Sequence, residues 1–324
     1  MKLLASLRFF AAAVAALFAG AGFAQTFPAK PVTVVVGTPP AGAVDAYARA
    51  VGEHMSRTLG QQVVVENKPG ANGNISVEQV LRAPADGYTI WVGTQSMTEI
   101  NPSVFPNLRW SPDDFVGVVK GVEAPLVLVT HASVQAKTLE ALKSWLKQNP
   151  DKTSYASFSP GTPSHFLGHQ LGERLGVPLT HIPYKGSAPQ TQDLVGGHVL
   201  LGFSQIQTTL PHIKDGRLRA IAVTGEKRWR QLPDVPTMAE LGYGELSATI
   251  WFGMFVRKGT PAEVQAKIVD AARQAHADAA VRARLQGMGF DVPATTDPEF
   301  SAAIRTGAAR WAKIVQATGF KASK

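Results

Sequence analysis

The chain has 324 residues, 45% of them apolar and 17% charged, with a formal net charge of +8 and no cysteine. This is globular composition, long enough for two ordinary domains, and it excludes a low-complexity or disordered chain. The positive charges are scattered, with Lys227–Arg230 the one dense run, so no nucleic-acid partner is expected, and the modest excess favours small anions.

Residues 1–24 differ from the rest. Lys2 and Arg8 precede an uncharged, apolar, small-residue run from Phe9 to Ala24 that ends in "AGFA". This reads as a secretory signal cut after Ala24, because the run is short for a membrane span and its flank suits cleavage. Without the two leader cations the remainder carries +6. An exported chain without cysteine fits a bacterial periplasm, has no disulfide and cannot carry a lipid on an N-terminal cysteine. The expectation is a soluble periplasmic protein that is not lipid-anchored.

Pro31–Val36 ("PVTVVV") is a continuous β-branched run, the mark of a strand covered on both faces. A turn-rich loop follows. Asp45 opens a helix with Tyr47, Val51, Met55 and Leu59 on one stripe. Gln62–Asn67 is a second strand, a helix runs to Arg82, and Gly87–Gly93 is a third strand. The alternation restarts after Pro125, with strands at "PLVLVT", "TSYASF", "LTHIPY", "HVLLGFS" and "LRAIAVTG" and helices at "TLEALKSWLKQ", from Pro163, and at "APQTQDLVGG". Ala248–Val256 is strand-like. Thr260 is expected as an N-cap with Pro261 at N1 and Glu263 closing a capping box. A last helix starts at Asp297-Pro298 with Phe300, Ile304, Ala308, Trp311 and Val315 on its stripe. Strands alternating with helices predict an α/β fold with parallel βαβ units. Two such units suggest two lobes, with ligands at the carboxyl ends of the strands.

The junction "SFSPGTPSH" at Ser157–His165 sits at such an end. It lacks the G-x-S-x-G frame of a nucleophile, and Ser164 and His165 are neighbours in sequence that do not face each other on a helix. It lacks the lysine and spacing of a phosphate loop. His165 and His169 are one turn apart, but Phe166 stands where a zinc protease has glutamate, so no metal is expected. A carboxylate fits best. A helix N-terminus offers free N–H groups, Ser159 and Thr162 add hydroxyls, and Gly161 would let the backbone approach closely enough that a bulky residue there should block binding. The same residues would serve equally as an ordinary helix cap.

From "FPAKPVTVVV" onward the chain resembles the Bug family of periplasmic solute-binding proteins, the receptors of tripartite tricarboxylate transporters. The resemblance rests on "VVENKPGANGNI" (Val64–Ile75), "ADGYTIWVGT" (Ala85–Thr94), "SPGTPSH" (Ser159–His165), "HIPYKGSAPQTQDLVGGHV" (His181–Val199), "LRAIAVT" (Leu218–Thr224), "LPDVPTMAELGY" (Leu232–Tyr243) and "GTPAEV" in that order. It implies a two-lobed periplasmic-binding-protein-like fold of type II, each lobe a sheet flanked by helices, with the ligand in the interlobe cleft. Lobe 1 would be residues 25–124 and 248–324, and lobe 2 residues 125–247. A small carboxylic acid, a di- or tricarboxylate or an aromatic acid, would be held by two loops, Thr38–Asp45 with Ala43 and Val44, and Ser157–Ser164 with Ser159, Pro160, Gly161 and Thr162. Thr94, Gln95, Ser96, Ser204 and Gln205 would meet the rest of the ligand, and Trp251, Phe252 and Phe158 either line the site or pack the lobes. The first loop departs from the family's "PGGxTD": Ala41 replaces a glycine and Val44 a hydroxyl residue, while Asp45 is retained as a helix cap. The implied partner is a membrane permease, with the receptor monomeric, non-catalytic and without cofactor. A sensor kinase as partner, or a periplasmic hydrolase using Ser159 or Ser164, are the alternatives.

Overall fold

The computed structural model describes residues 27–322; the leader assigned to residues 1–24 lies outside them. The chain runs β1 (Val32–Val36), α1 (Ala43–Leu59), β2 (Val63–Asn67), α2 (Asn74–Arg82) and β3 (Thr89–Thr94). A π-helical turn (Ser96–Ile100) leads into α3 (Asn101–Val104) and then β4 (Phe115–His131). There follow α4 (Leu139–Gln148), β5 (Ser154–Ser157), α5 (Pro163–Leu175), β6 (Thr180–Pro183), α6 (Ser187–Val195), β7 (Leu201–Gln205), α7 (Ile206–Lys214) and β8 (Leu218–Val223). The end is β9 (Thr249–Arg257), α8 (Ala262–Ala277), α9 (Ala279–Gly287) and α10 (Glu299–Thr318).

The strands form one path, β2-β1-β3-β9-β4-β7-β5-β6, with β8 also on β4. The βαβ units at each end are parallel, as expected. The centre is not: β9 runs antiparallel to β3 and β4, and β4 antiparallel to β7 and β8. In β1, Val32, Val34, Val35 and Val36 are all buried, with Val35 packing into a different apolar cluster from the other three. Both faces of the strand are therefore covered, as its unbroken apolar run predicts.

Strand β4 joins the two halves. Phe115–Pro125 pairs with β9, and from Leu126 onward the same strand pairs with β7 and β8. The sequence reading starts this strand only after Pro125. Gly117, Gly121 and two register shifts interrupt the earlier part, and the alternation is lost there. Thr224 ties the crossing together: its hydroxyl is within 2.8 Å of the Leu126 amide and 2.6 Å of the Ala248 carbonyl.

Two local expectations are corrected. Thr260 does not cap α8: its hydroxyl donates to the Arg257 carbonyl at 2.7 Å, and the helix starts after Pro261 with no side-chain cap and no capping box. Helix α1 begins two residues before Asp45, so Asp45 sits at the third helical position. Helix α7, with Pro211 inside it, and α9 were not expected at all.

Candidate functional site

The carboxyl ends of β1, β3, β5, β6 and β7 and the start of the antiparallel β9 surround a cavity of about 920 Å³. Thr38, Ala43, Val44, Thr94, Gln95, Ser96, Ser159, Pro160, Thr162 and Gln205 line it. Asp45, Ser157, Gly161, Ser164 and Ser204 do not, and each except Ser204 is used to hold a loop.

The first loop is shaped from behind. Asp45 is 4% exposed and its carboxylate accepts from the Ala41 amide at 3.1 Å, from Arg49 Nε at 3.0 Å and from Asn67 Nδ2 at 3.0 Å. Asn67 also donates to the Thr38 carbonyl, so both ends of the loop hang on one polar cluster. Burial pushes the Asp45 carboxyl up, but the hydrogen bonds from Arg49, Asn67 and Ala41 outweigh it and hold it below the usual carboxylate range. Ala41 takes φ 65°, a left-handed conformation that costs an L-residue about 1–2 kcal/mol. This is the position where a glycine is expected from the family pattern. Asp45 therefore supports the loop rather than capping the helix at its start. Arg49 and Asn67 were missed; the signals were an Asp-x-x-x-Arg spacing on one helix face and a polar residue ending the neighbouring strand.

The second loop is held by neutral groups. Ser157 Oγ is 3.1 Å from the Ser159 carbonyl and 2.6 Å from His181 Nε2. Thr162 Oγ1 donates to the Ser159 carbonyl at 2.7 Å, and Ser164 Oγ accepts from the Phe158 amide at 3.2 Å. The Gly161 amide donates to His165 Nδ1 at 3.1 Å. It is thus already engaged, and the close approach expected of Gly161 is to Val104 and Phe320, which a Cβ there would meet at 3.0 and 3.3 Å. The His165 and His181 rings stack with centroids 4.0 Å apart, and Tyr155 stacks on His181 at 5.1 Å. Burial, with the neighbouring imidazoles, brings the His165 pKa down to about 3, and burial brings His181 down to about 4.

A nucleophile is poorly served here. Neither Ser159 nor Ser164 bonds a histidine. Ser157 does, but its Oγ has one hydrogen; with that hydrogen on the Ser159 carbonyl, His181 must donate to Ser157, the reverse of a general base. Among the described residues no carboxylate bonds His181, and no cluster of three metal-ligating side chains occurs.

Helix ends dominate the cavity. The N-cap residues of α1 (Gly42), α2 (Gly73), α5 (Thr162), α6 (Gly186) and α7 (Gln205) all line it, and none has a side-chain cap. Away from the cavity, α4 and α9 are capped by Thr138 and Asp278; α8, starting after Pro261, α10, starting after Pro298, and the short α3 are not. Uncapped first turns leave N–H donors and partial positive charge facing the space. Among the described lining residues Lys185 and Lys321 are charged and none is acidic. Phe105, Phe158, Trp251, Phe252 and Phe320 supply an apolar wall. The sequence reading missed the Pro69–Gly73 and Tyr184–Pro189 segments and the C-terminal tail. Phe320 lies edge-on to His165 at 4.6 Å, and the Ala322 amide donates to the Val104 carbonyl. Nothing in the local pattern after Gly319 signals that return.

Residues 47–320 match the family described as "Tripartite tricarboxylate transporter family receptor". Protein BugT of Bordetella pertussis is 34% identical over 300 residues, covering 92% of each chain. The solved periplasmic binding protein BugD superposes with a TM-score of 0.85 at 36% identity, over 91% of this chain and 99% of its own. MatC from Rhodopseudomonas palustris, solved with bound malate, gives 0.82 at 31% identity, over 89% of this chain and 100% of its own. The chain belongs to the tripartite tricarboxylate transporter receptor family and has its two-lobed periplasmic-binding-protein fold.

Proposed function

We propose that this family member captures a small carboxylic acid between its lobes and delivers it to the membrane permease of a tripartite tricarboxylate transporter. The observation that carries the reading is the convergence of five helix N-termini without side-chain caps on one cavity with no acidic side chain among its described lining residues. Each charge-assisted hydrogen bond from such an end to a carboxylate contributes about 1.5–3 kcal/mol. An amino acid would bring an ammonium for which this wall has no carboxylate partner. The malate bound by MatC supports the same ligand class.

In this reading residues 25–124 and 248–324 form one lobe and 125–247 the other, with the crossings at Pro125 and Ala248. Residues 1–24 are removed on export, and the mature receptor works as a soluble periplasmic monomer. Among the described residues no helix is long and apolar enough to cross a membrane. Closure over the ligand presents the receptor's surface to the permease; the ligand leaves unchanged.

A thermal-shift screen of the chain from Gln25 tests this, with aliphatic di- and tricarboxylates, aromatic acids and amino acids. A ligand at a hundredfold excess over its Kd stabilises by about 2.7 kcal/mol. A shift with a carboxylate and none with amino acids is expected. Shifts with amino acids alone, or turnover of an ester by the purified protein, would overturn the reading.

A further inference from the structure

Behind the cavity wall lies a second buried acid besides Asp45. Glu99 is 2% exposed on the π-helical turn, a geometry that recurs at functional sites. Its Oε1 accepts from Trp251 Nε1 at 2.9 Å, while its Oε2 is enclosed without a partner. One turn back on the same segment, Gln95 Oε1 is enclosed without a partner as well. Gln95 and Trp251 both line the cavity; Glu99 does not. The carboxyl group packs directly on α10, filling the space where a Cβ on Gly307 would sit.

Glu99 Oε2 and Gln95 Oε1, four residues apart on one segment, are both enclosed acceptors without a hydrogen. An enclosed acceptor left bare loses its hydration with nothing in return. A proton on Glu99 Oε2 would relieve that oxygen and, shared with Gln95 Oε1, both. The charged groups facing Glu99 are Lys120 of β4 and Arg310 of α10, and both are engaged elsewhere: Lys120 with Glu123 at 2.5 Å, Arg310 with the Ser247 carbonyl. Burial pushes the Glu99 carboxyl up to about 7, against the pull of Trp251, Gln95, Lys120 and Arg310. An ionised Glu99 would also set a negative charge behind a wall built to hold an anion.

We propose that Glu99 is a specificity-setting positioning residue: as the neutral acid it donates Oε2–H to Gln95 Oε1 and so turns the Gln95 amide N–H₂ into the cavity as a donor to the solute. When Glu99 ionises, the Gln95 amide inverts to donate to it, and its carbonyl oxygen meets the solute's acceptor instead. Solute binding is thereby coupled to one proton held on Glu99. This rests on the carboxylate-receptor reading above, and its test separates the two.

The ligand-free chain from Gln25 is followed first, by the Trp251 indole N–H resonance, which reports directly on Glu99. It should titrate with a midpoint near 7 in the wild type and stay flat between pH 6 and 8 in Glu99→Gln. A flat wild-type trace overturns the proposal, and this arm needs no solute. Malate and adipate are then titrated by calorimetry at pH 6 and pH 8. Wild-type affinity should fall, approaching tenfold per pH unit above the midpoint, while Glu99→Gln, whose amide can always donate, binds equally at both. Calorimetry in buffers of different ionisation enthalpy should show a net proton taken up on binding at pH 8 in the wild type. Equal wild-type affinity at both pH values overturns the coupling. Absence of binding by every acid in the thermal-shift panel, with the indole still titrating, overturns the carboxylate reading on which the coupling depends.

Discussion

The two loops proposed to receive the carboxylate are built from opposite chemistry. The first hangs on an ionised Asp45 tied to Arg49 and Asn67 at the back of the cavity. The second is held by hydroxyls and two neutral, stacked imidazoles. Both end in a helix start without a side-chain cap at the cavity, where the anion is proposed to bind. A charged support is strong but fails abruptly when one partner goes. A neutral one is made of smaller, separable contributions, and it is sensitive to protons nearer neutrality.

The largest effect should therefore come from Asp45→Ala. It strands Arg49, Asn67 and the Ala41 amide, and it should cost about 2–3 kcal/mol in chemical denaturation together with more than tenfold in affinity for the best-bound acid. A variant as stable as the wild type would erase the contrast between the loops. Next comes Ser159→Ala with Thr162→Ala, which removes the Thr162 bond to the Ser159 carbonyl. Calorimetry should show affinity weakened several-fold at a stability cost of about 1 kcal/mol. Unchanged affinity would mean that the second loop does not meet the solute.

Acid separates the loops by pH. His165 and His181 have folded pKa values below the unfolded value of about 6.5, so the folded state binds fewer protons. Their contribution is complete above that value and shrinks as pH falls toward 4. The Asp45 carboxyl is also lowered, so its contribution is present above about 3.9 and lost only below that. Amide-exchange protection at Phe158 and Gly161 should drop between pH 6 and pH 5 while that at Ala41 holds; loss in the opposite order would refute the assignment of supports. The smallest effect is expected from Ala41→Gly. Relief of the φ 65° conformation should raise stability by about 0.5–1 kcal/mol, read as a small rise in Tm with affinity kept.

Most of this fold is legible in the sequence where the period is clean. The valine run of β1 and the stripes of α1 and α10 give most of their burial directly: Tyr47, Val51 and Met55, then Phe300, Ile304, Trp311 and Val315, are enclosed, while Leu59 and Ala308 at the same stripes are only half-buried. What is not legible is set by distant partners. The first half of β4 is a strand because β9 pairs with it, although Gly117, Lys120, Gly121 and Glu123 break its pattern. The two candidate loops are readable as turn-rich junctions. Which way their polar atoms face is not, because it depends on Arg49, Asn67 and His181. The engagement of the Gly161 amide by His165, and the return of Phe320 over that imidazole, are tertiary facts with no local signature.

The place of β9 has a consequence for the timing of assembly. This strand is seated between β3 and β4, yet it comes after the whole of the intervening α/β unit in the chain. The sheet containing β1, β2 and β3 stays open along one edge until residues 249–257 are available to fill it. Pairings of such long sequence separation form slowly, since the entropy of closing the loop is lost before the contacts reward it. A chain emerging from its N-terminus therefore cannot lock its first half early. It remains threadable until nearly four-fifths of it has appeared, which suits the export through a translocation channel proposed above.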